Sequence, residues 1–194
     1  MLERLDQQLF LFINSHNSPF WDQVMYIISG KVTWIPLYLA ILYILIKKYR
    51  RKFLVLVLII IIGITLSDQI SVLVKNSFHR LRPCHTAALE GLVHLVKGIC
   101  GGAYGFVSSH ASNSFMVAVL SFSLIKVRWF TFGMIFWALL IGYSRIYLGV
   151  HYPGDVICGS FIGALVGWGV YQLYQLIERK LLTGSEYFNR IKAL

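Results

Sequence analysis

Acid is what this sequence is short of: 8 Asp and Glu in 194 residues, against 18 Lys and Arg, for a formal net charge of +10. Charge of either sign is scarce as well, at 13% of residues where a soluble chain carries roughly 25%. So few charges cannot cover a surface that faces water, which excludes a free cytosolic globule. With 57% hydrophobic residues, the same arithmetic excludes a disordered chain, collagen and a coiled coil. No basic start leads into an apolar stretch and a small-residue cleavage site, so no cleavable signal peptide is expected. What remains is a membrane protein. Its positive excess reads as loops facing anionic groups at the membrane surface rather than nucleic acid.

Long apolar runs are what the chain does have. A helix crosses the hydrocarbon in about 20 residues, and five segments qualify: about Gln23–Ile46, Phe53–Val74, Ser108–Ile125, Trp129–Ile146 and Val156–Leu176. The expected fold is therefore all-α, an integral-membrane bundle. Gly30, Lys31 and Pro36 interrupt the first span, which should be broken or kinked. Ahead of it, Leu2, Leu5, Leu9, Phe12 and Ile13 recur at helical spacing among Glu3, Asp6, Gln7 and Gln8. That stripe suits a helix lying in the interface; were it to cross instead, the spans would number six. The organisation expected is one membrane-embedded domain, with an interfacial helix over 1–18, a transmembrane bundle over 19–182 and a cytoplasmic tail over 183–194.

Basic residues in the short loops set the orientation. Lys47, Lys48, Arg50, Arg51, Lys52, Lys126, Arg128, Arg179, Lys180, Arg190 and Lys192 fall on one side, which should be cytoplasmic. The longest loop, about Asn76 to Val107, then lies outside together with Cys84 and Cys100, where an oxidising compartment would permit a disulfide. A zinc set from His79, Cys84, His85 and Cys100 matches no familiar ligand spacing. Gly159, Gly163 and Gly167 form a small-residue ridge that reads as packing within the bundle rather than a dimer seam.

Four polar sets sit at the outward ends of the spans: Lys75 with Arg82; Ser108, Ser109 and His110; Ser144 and Arg145; His151 and Asp155. Basic residues on that side run against the positive-inside bias, and an anionic phosphate explains them. Lys75, Arg82 and Arg145 suit its non-bridging oxygens, the Arg side chains as planar forks and Lys as a point charge. Ser108 adds a hydroxyl, while the backbone N–H groups of Ser109 and His110 open a helix whose dipole favours an anion. His151 and Asp155 fit a nucleophile and the carboxylate that orients it; His110 is left as the general acid and base. Asp68, seven residues before Lys75, reads as a carboxylate that orients Lys75 or a neighbouring basic group rather than one that reacts directly. Arg80 and Lys97 read as headgroup anchors, and His16, His79, His85 and His94 as loop histidines.

The segments KNSFHRLRP from Lys75, VSSH from Val107 and SRIYLGVHYPGD from Ser144 resemble the three-part signature of the type 2 phosphatidic acid phosphatase family. That signature reads KxxxxxxRP, PSGH and SRxxxxxHxxxD. The first and third parts match at every defined position; in the second, Val107 stands for Pro and Ser109 for Gly. The resemblance implies a metal-independent lipid phosphatase with no cofactor, related to vanadium haloperoxidases, with the roles just given to His151, Asp155, His110, Lys75, Arg82, Ser108 and Arg145. It narrows the expected partner to a membrane lipid phosphate. Undecaprenyl diphosphate and a lipid A phosphate are favoured over phosphatidylglycerol phosphate and phosphatidic acid, with hydrolysis on the outer face of a bacterial inner membrane. The competing readings are a phosphotransferase using the same histidine, a vanadate-dependent haloperoxidase and a non-catalytic phospholipid binder.

Overall fold

The computed structural model describes residues 2–192, with the side chains of Arg51 and of residues 181–192 outside the description. Its described residues form seven α-helices and no strand: α1 (Leu2–Ser15), α2 (Pro19–Ser29), α3 (Ile35–Tyr49), α4 (Phe53–Phe78), α5 (Ser109–Ile125), α6 (Arg128–Tyr147) and α7 (Pro153–Lys192). Val32–Tyr49, Phe53–Phe78, Arg128–Tyr147 and Pro153–Lys180 are long and apolar enough to cross a bilayer; Ser109–Ile125 is apolar but shorter. The protein is an all-α, multi-pass membrane protein. The expected tail over 183–194 continues α7 as far as Lys192; its side chains and its last two residues lie outside the description.

The first span is indeed broken. α2 ends at Ser29, α3 begins at Ile35, and a short 3-10 turn over Val32–Trp34 joins them. Breaking a helix strands its last carbonyls. Here Thr33 Oγ1 donates to Ile27 O at 2.6 Å and Trp34 Nε1 to Ile28 O at 2.7 Å, so the break is satisfied by its own side chains.

The shortest span, α5, is the one the others surround. Ala111, Met116, Ala118, Leu120 and Leu124 on it are all buried. At its C-terminal end Lys48 Nζ donates to the carbonyls of Leu124 (2.8 Å) and Ile125 (2.7 Å), and Tyr49 Oη to Leu124 O (2.9 Å). A cation there also complements the negative end of the helix dipole. On one flank Ser67 and Ser112 share a hydrogen bond of 2.8 Å between α4 and α5.

On the other flank the glycine ridge of α7 lies directly on the α5 backbone. A Cβ at Gly159, Gly163 or Gly167 would stand 2.6, 2.0 or 2.7 Å from the carbonyl oxygens of Ser108, Ser112 and Met116. The ridge is an intramolecular seam, as its spacing suggested.

α1 is anchored by Phe10, whose ring meets Tyr152 at 5.4 Å, and by Asn14, whose amide donates to His94 O (2.9 Å) and Tyr147 O (2.8 Å). Leu11 and Ile13 pack partly buried beside Phe10, while Leu2, Leu5, Leu9 and Phe12 remain exposed. Cys84 and Cys100 are joined by a disulfide that closes the long connection between α4 and α5, with their Cα atoms 6.1 Å apart. Those two sulfurs are thereby unavailable to a metal.

Gly163→Ala should force α5 and α7 apart, lowering stability by about 1–3 kcal/mol, the usual cost of overpacking. Gly133, where a Cβ meets nothing within 4 Å, supplies the control. Gly133→Ala should leave the thermal midpoint in detergent unchanged or raise it; equal midpoints for the two variants would contradict the seam.

Candidate active site

Four helix ends, those where α4 and α6 finish and α5 and α7 begin, converge with the connection that carries Arg82 at one end of the bundle. The start of α7 follows directly on His151. His151 and Asp155 are both buried, at 1% and 0% exposure. Their side chains meet between Nδ1 and Oδ2 at 3.4 Å, across the four-residue spacing that opens α7. Arg82 Nη1 lies 3.2 Å from His151 Nε2 and also donates to Val150 O at 3.2 Å. A guanidinium has no acceptor. The contact therefore places a lone pair on Nε2 and the ring proton on Nδ1, towards Asp155. This is the tautomer that leaves Nε2 free to react.

The charges around this ring keep it neutral. Burial first, then the positive charges of Arg82, Arg145 and Lys75, hold His151 well below the usual histidine value, against the opposing pull of a Gly105 backbone hydrogen bond. A protonated ring would be a further cation among three. Arg82 itself is lowered by burial.

The start of α5 supplies the second wall. Ser108 is completely buried, and its hydroxyl accepts from Ala111 N as the helix N-cap. Its backbone N–H donates to Asp155 O at 2.9 Å, which locks the start of α5 to the start of α7. The hydroxyl proton of Ser108 is a donor that this cap does not use. Ser109 accepts a hydrogen bond from Lys75 Nζ, so the side chain added where the family motif has Gly holds the motif lysine in place. His110 lies within electrostatic reach of Arg145, His151, Lys31 and Arg82. Arg145 donates to Ser29 at the end of α2. The Nε atoms of Arg82 and Arg145 are buried without a hydrogen-bond partner among the described residues, two charged donors left for an acceptor.

Beneath the polar cluster an apolar cavity of about 500 Å³ runs along α5, from Ser109 and His110 to Leu124, between α3, α4 and α6. Asp68 lines this cavity two turns before Lys75, whose ammonium is held by Ser109 rather than by that carboxylate.

The structure thus brings His151, Asp155, His110, Lys75, Arg82, Arg145, Ser108 and Ser109 to one end and leaves Asp68 in the cavity wall. Three residues here were not identified from sequence. Arg80, read as an anchor, donates to Asp155 Oδ1 at 2.8 Å and to Asp6 Oδ2 at 2.7 Å. Asp6 itself comes from α1. Lys31 lines the cavity beside His110. With only 8 acidic residues in the chain, pairing the outward arginines with the few available carboxylates was the signal that could have found the first two. Lys97, the other expected anchor, lies over the Tyr26 ring at 3.8 Å. His94 is held by Asp22 at 2.9 Å, so it is a fastened side chain rather than a free loop histidine.

The sequence profile described as the PAP2 superfamily matches residues 54–179, well over half of the chain. The chain is 42% identical over 187 residues to the lipid A 4'-phosphatase of Bacteroides thetaiotaomicron, covering 93% of this chain and 80% of that one. It is 33% identical over 183 residues to the lipid A 4'-phosphatase of Porphyromonas gingivalis, covering 93% and 78%. Among solved structures, Aquifex aeolicus LpxE superposes with a TM-score of 0.68 at 27% identity, over 87% of this chain and 95% of that one. These findings bear out the family resemblance carried by the three motifs.

The electrostatics of the ring can be read directly. In the free protein His151 should remain neutral at pH 6 by histidine-selective NMR. Arg82→Gln removes the second-largest cause of its lowering and should move the ring's titration upward. A downward shift, or a ring already protonated at pH 6, would contradict the arrangement.

Proposed function

The chain belongs to the PAP2 superfamily and is a membrane phosphatase, and on that premise we propose that it hydrolyses the 4'-phosphate of lipid A through a phosphohistidine. Nε2 of His151 attacks phosphorus and forms the N–P bond while the bond to the sugar oxygen breaks. His110 gives its proton to that oxygen. Asp155 steadies the Nδ1–H as charge gathers on the ring, the usual division of labour for an activated nucleophile. Lys75, Arg82, Arg145, the α5 N-terminus and the Ser108 hydroxyl take the non-bridging oxygens, whose charge they neutralise without rearranging. Water then attacks the N–P bond with His110 as base, and inorganic phosphate leaves as His151 returns to the neutral ring.

One observation carries the reading. A buried His–Asp pair lies among three cations, and Ser109 and His110 of the same site line one end of an apolar cavity of about 500 Å³, which supports phosphate chemistry and a hydrocarbon tail at neighbouring places. The donor set suits a phosphoryl group and not a metal ion. Its members are mostly cations, and the Asp155 carboxylate is already taken by Arg80. Identity to the two lipid A 4'-phosphatases across nearly the whole chain favours that substrate over undecaprenyl diphosphate, phosphatidylglycerol phosphate and phosphatidic acid. The cluster of Lys48, Lys52, Lys126 and Arg128 at the opposite end supports an active site on the periplasmic face of the inner membrane. The Cys84–Cys100 disulfide beside the active site agrees with an oxidising compartment on that side.

Phosphate release by detergent-purified protein in the presence of EDTA tests the proposal across the four lipids. Lipid A should be the best substrate, and His151→Ala should abolish release, with a loss of at least about 10³-fold expected for a nucleophile. Release that needs added metal or survives in the mutant would overturn the mechanism. Faster turnover of undecaprenyl diphosphate would overturn the substrate alone.

A further inference from the structure

We propose that Arg80 and Asp6 are positioning residues for the hydrolysis, through the carboxylate of Asp155; the inference rests on the role given above to the His151–Asp155 pair. Neither residue is a defined position of the three motifs. Arg80 lies in the connection after α4, and Asp6 comes from α1, 149 residues before Asp155 in the chain.

The case begins with the two oxygens of Asp155. Oδ2 accepts from the backbone N–H of Tyr152 at 3.0 Å and meets His151 Nδ1 at 3.4 Å. Oδ1 accepts from Arg80 Nη1 at 2.8 Å. The ring contact is the longest of the three, so it is the weakest constraint on how the carboxylate is turned. Arg80 and the Tyr152 amide set that orientation, and the ring follows. Without Arg80, the Tyr152 amide alone is left to resist rotation of the carboxylate about Cβ–Cγ, and its hold on Nδ1–H loosens.

Arg80 is itself fixed on three sides. Its second terminal nitrogen donates to Asp6 Oδ2 at 2.7 Å, and its guanidinium lies 4.3 Å from the centroid of the Tyr152 ring. That ring is backed by Phe10 of α1 and tied by its hydroxyl to Thr86 Oγ1 at 3.0 Å. One planar fork therefore spans two carboxylates from two different helices, holding them in a fixed geometry that the point charge of a lysine would not impose.

Asp6 has a second duty. Its Oδ1 accepts from Gly154 N at 2.8 Å, so a carboxylate from α1 caps an orphan N–H in the first turn of α7. A Cβ at Gly154 would stand 2.8 Å from Asp6 Oδ2, so residue 154 leaves room for this carboxylate by having no side chain. α1 is thus tied to the reacting histidine by a continuous run: Asp6, Arg80, Asp155, His151.

A bridge that only fastened α1 to the bundle would change stability and leave turnover per folded molecule alone. Positioning predicts a different pattern in the full-length, detergent-solubilised protein acting on lipid A. Arg80→Gln should lower kcat roughly ten- to hundredfold, the range seen when the partner behind a functional histidine's neighbour is lost, with KM within about twofold. Arg80→Lys should recover part of that loss, because one ammonium can still meet Asp155. Asp6→Asn keeps the shape and, with its amide oxygen on Gly154 N–H, the cap, while removing the charge and the acceptor that face Arg80, and should lower kcat by less. Added to Arg80→Gln, it should cost nothing further, since both act through one link.

A kcat for Arg80→Gln within twofold of wild type would overturn the proposal. So would a raised KM with kcat unchanged, which would make Arg80 a substrate contact, or a double variant whose losses multiply. If Arg80→Gln does not elute as folded protein, Asp6→Asn alone decides, and an unchanged kcat there rejects the proposal. His151→Ala runs beside them. Activity surviving in that variant would sink the mechanism itself, whereas an inert His151→Ala beside a fully active Arg80→Gln would sink this inference only.

Discussion

A fully buried carboxylate at the end of an apolar bundle is costly unless every lone pair is met, and Asp155 meets that requirement with groups from separate parts of the chain. Its side chain engages Arg80, the Tyr152 amide and His151, and its backbone carbonyl receives the Ser108 N–H. The α4–α5 connection, the start of α5, the start of α7 and, through Arg80, α1 therefore share one anchor. The cations that face the site from Lys75, Arg82 and Arg145 are tolerated because this carboxylate sits behind the histidine and not among them. Reversing that order would neutralise the very donors that an anion needs.

Most of this was legible in the sequence because it is written in local patterns. The apolar runs gave the spans, and Gly30 with Pro36 gave the break in the first of them. Ser108 before Ser109–His110 has the form of an N-cap, and the structure uses it so. The three motifs are local as well, so His110, His151, Asp155, Lys75, Arg82 and Arg145 could be placed on a common face from loop connectivity alone. Arg80 and Asp6 could not. Their contacts join residues 74 and 75 positions apart, and nothing in the spacing of either segment announces a partner on the other. Asp68 stands between these cases. Its charge bears on Lys75, as the spacing of seven suggests, while the lysine's hydrogen bond goes to a hydroxyl on a neighbouring helix, a partner that only tertiary packing reveals.

The fold also accounts for a span that looked too short and too polar. α5 carries Ser112, Ser114 and Ser121 as buried residues, yet it is sheathed by α4, α6 and α7, so lipid does not have to solvate it. Its hydroxyls are spent on the helix's own carbonyls or on Ser67, and its last carbonyls on Lys48 and Tyr49. Polarity that would disqualify a lipid-facing helix becomes the means by which an enclosed one is fixed in place.

The seam between α5 and α7 sets the mechanical tolerance of the catalysis. At Gly159, Gly163 and Gly167 one backbone rests on another with no side chain between them, and backbone cannot change rotamer to absorb an error. His110 and His151 stand at the same end of those two rods. A slip of a single residue along either one would displace its histidine by about 1.5 Å and turn it through roughly 100°, enough to separate the attacking nitrogen from the proton donor of the proposed mechanism. Three missing methyl groups thus act as a gauge block, holding the two histidines at a fixed distance while the lipid around them remains fluid.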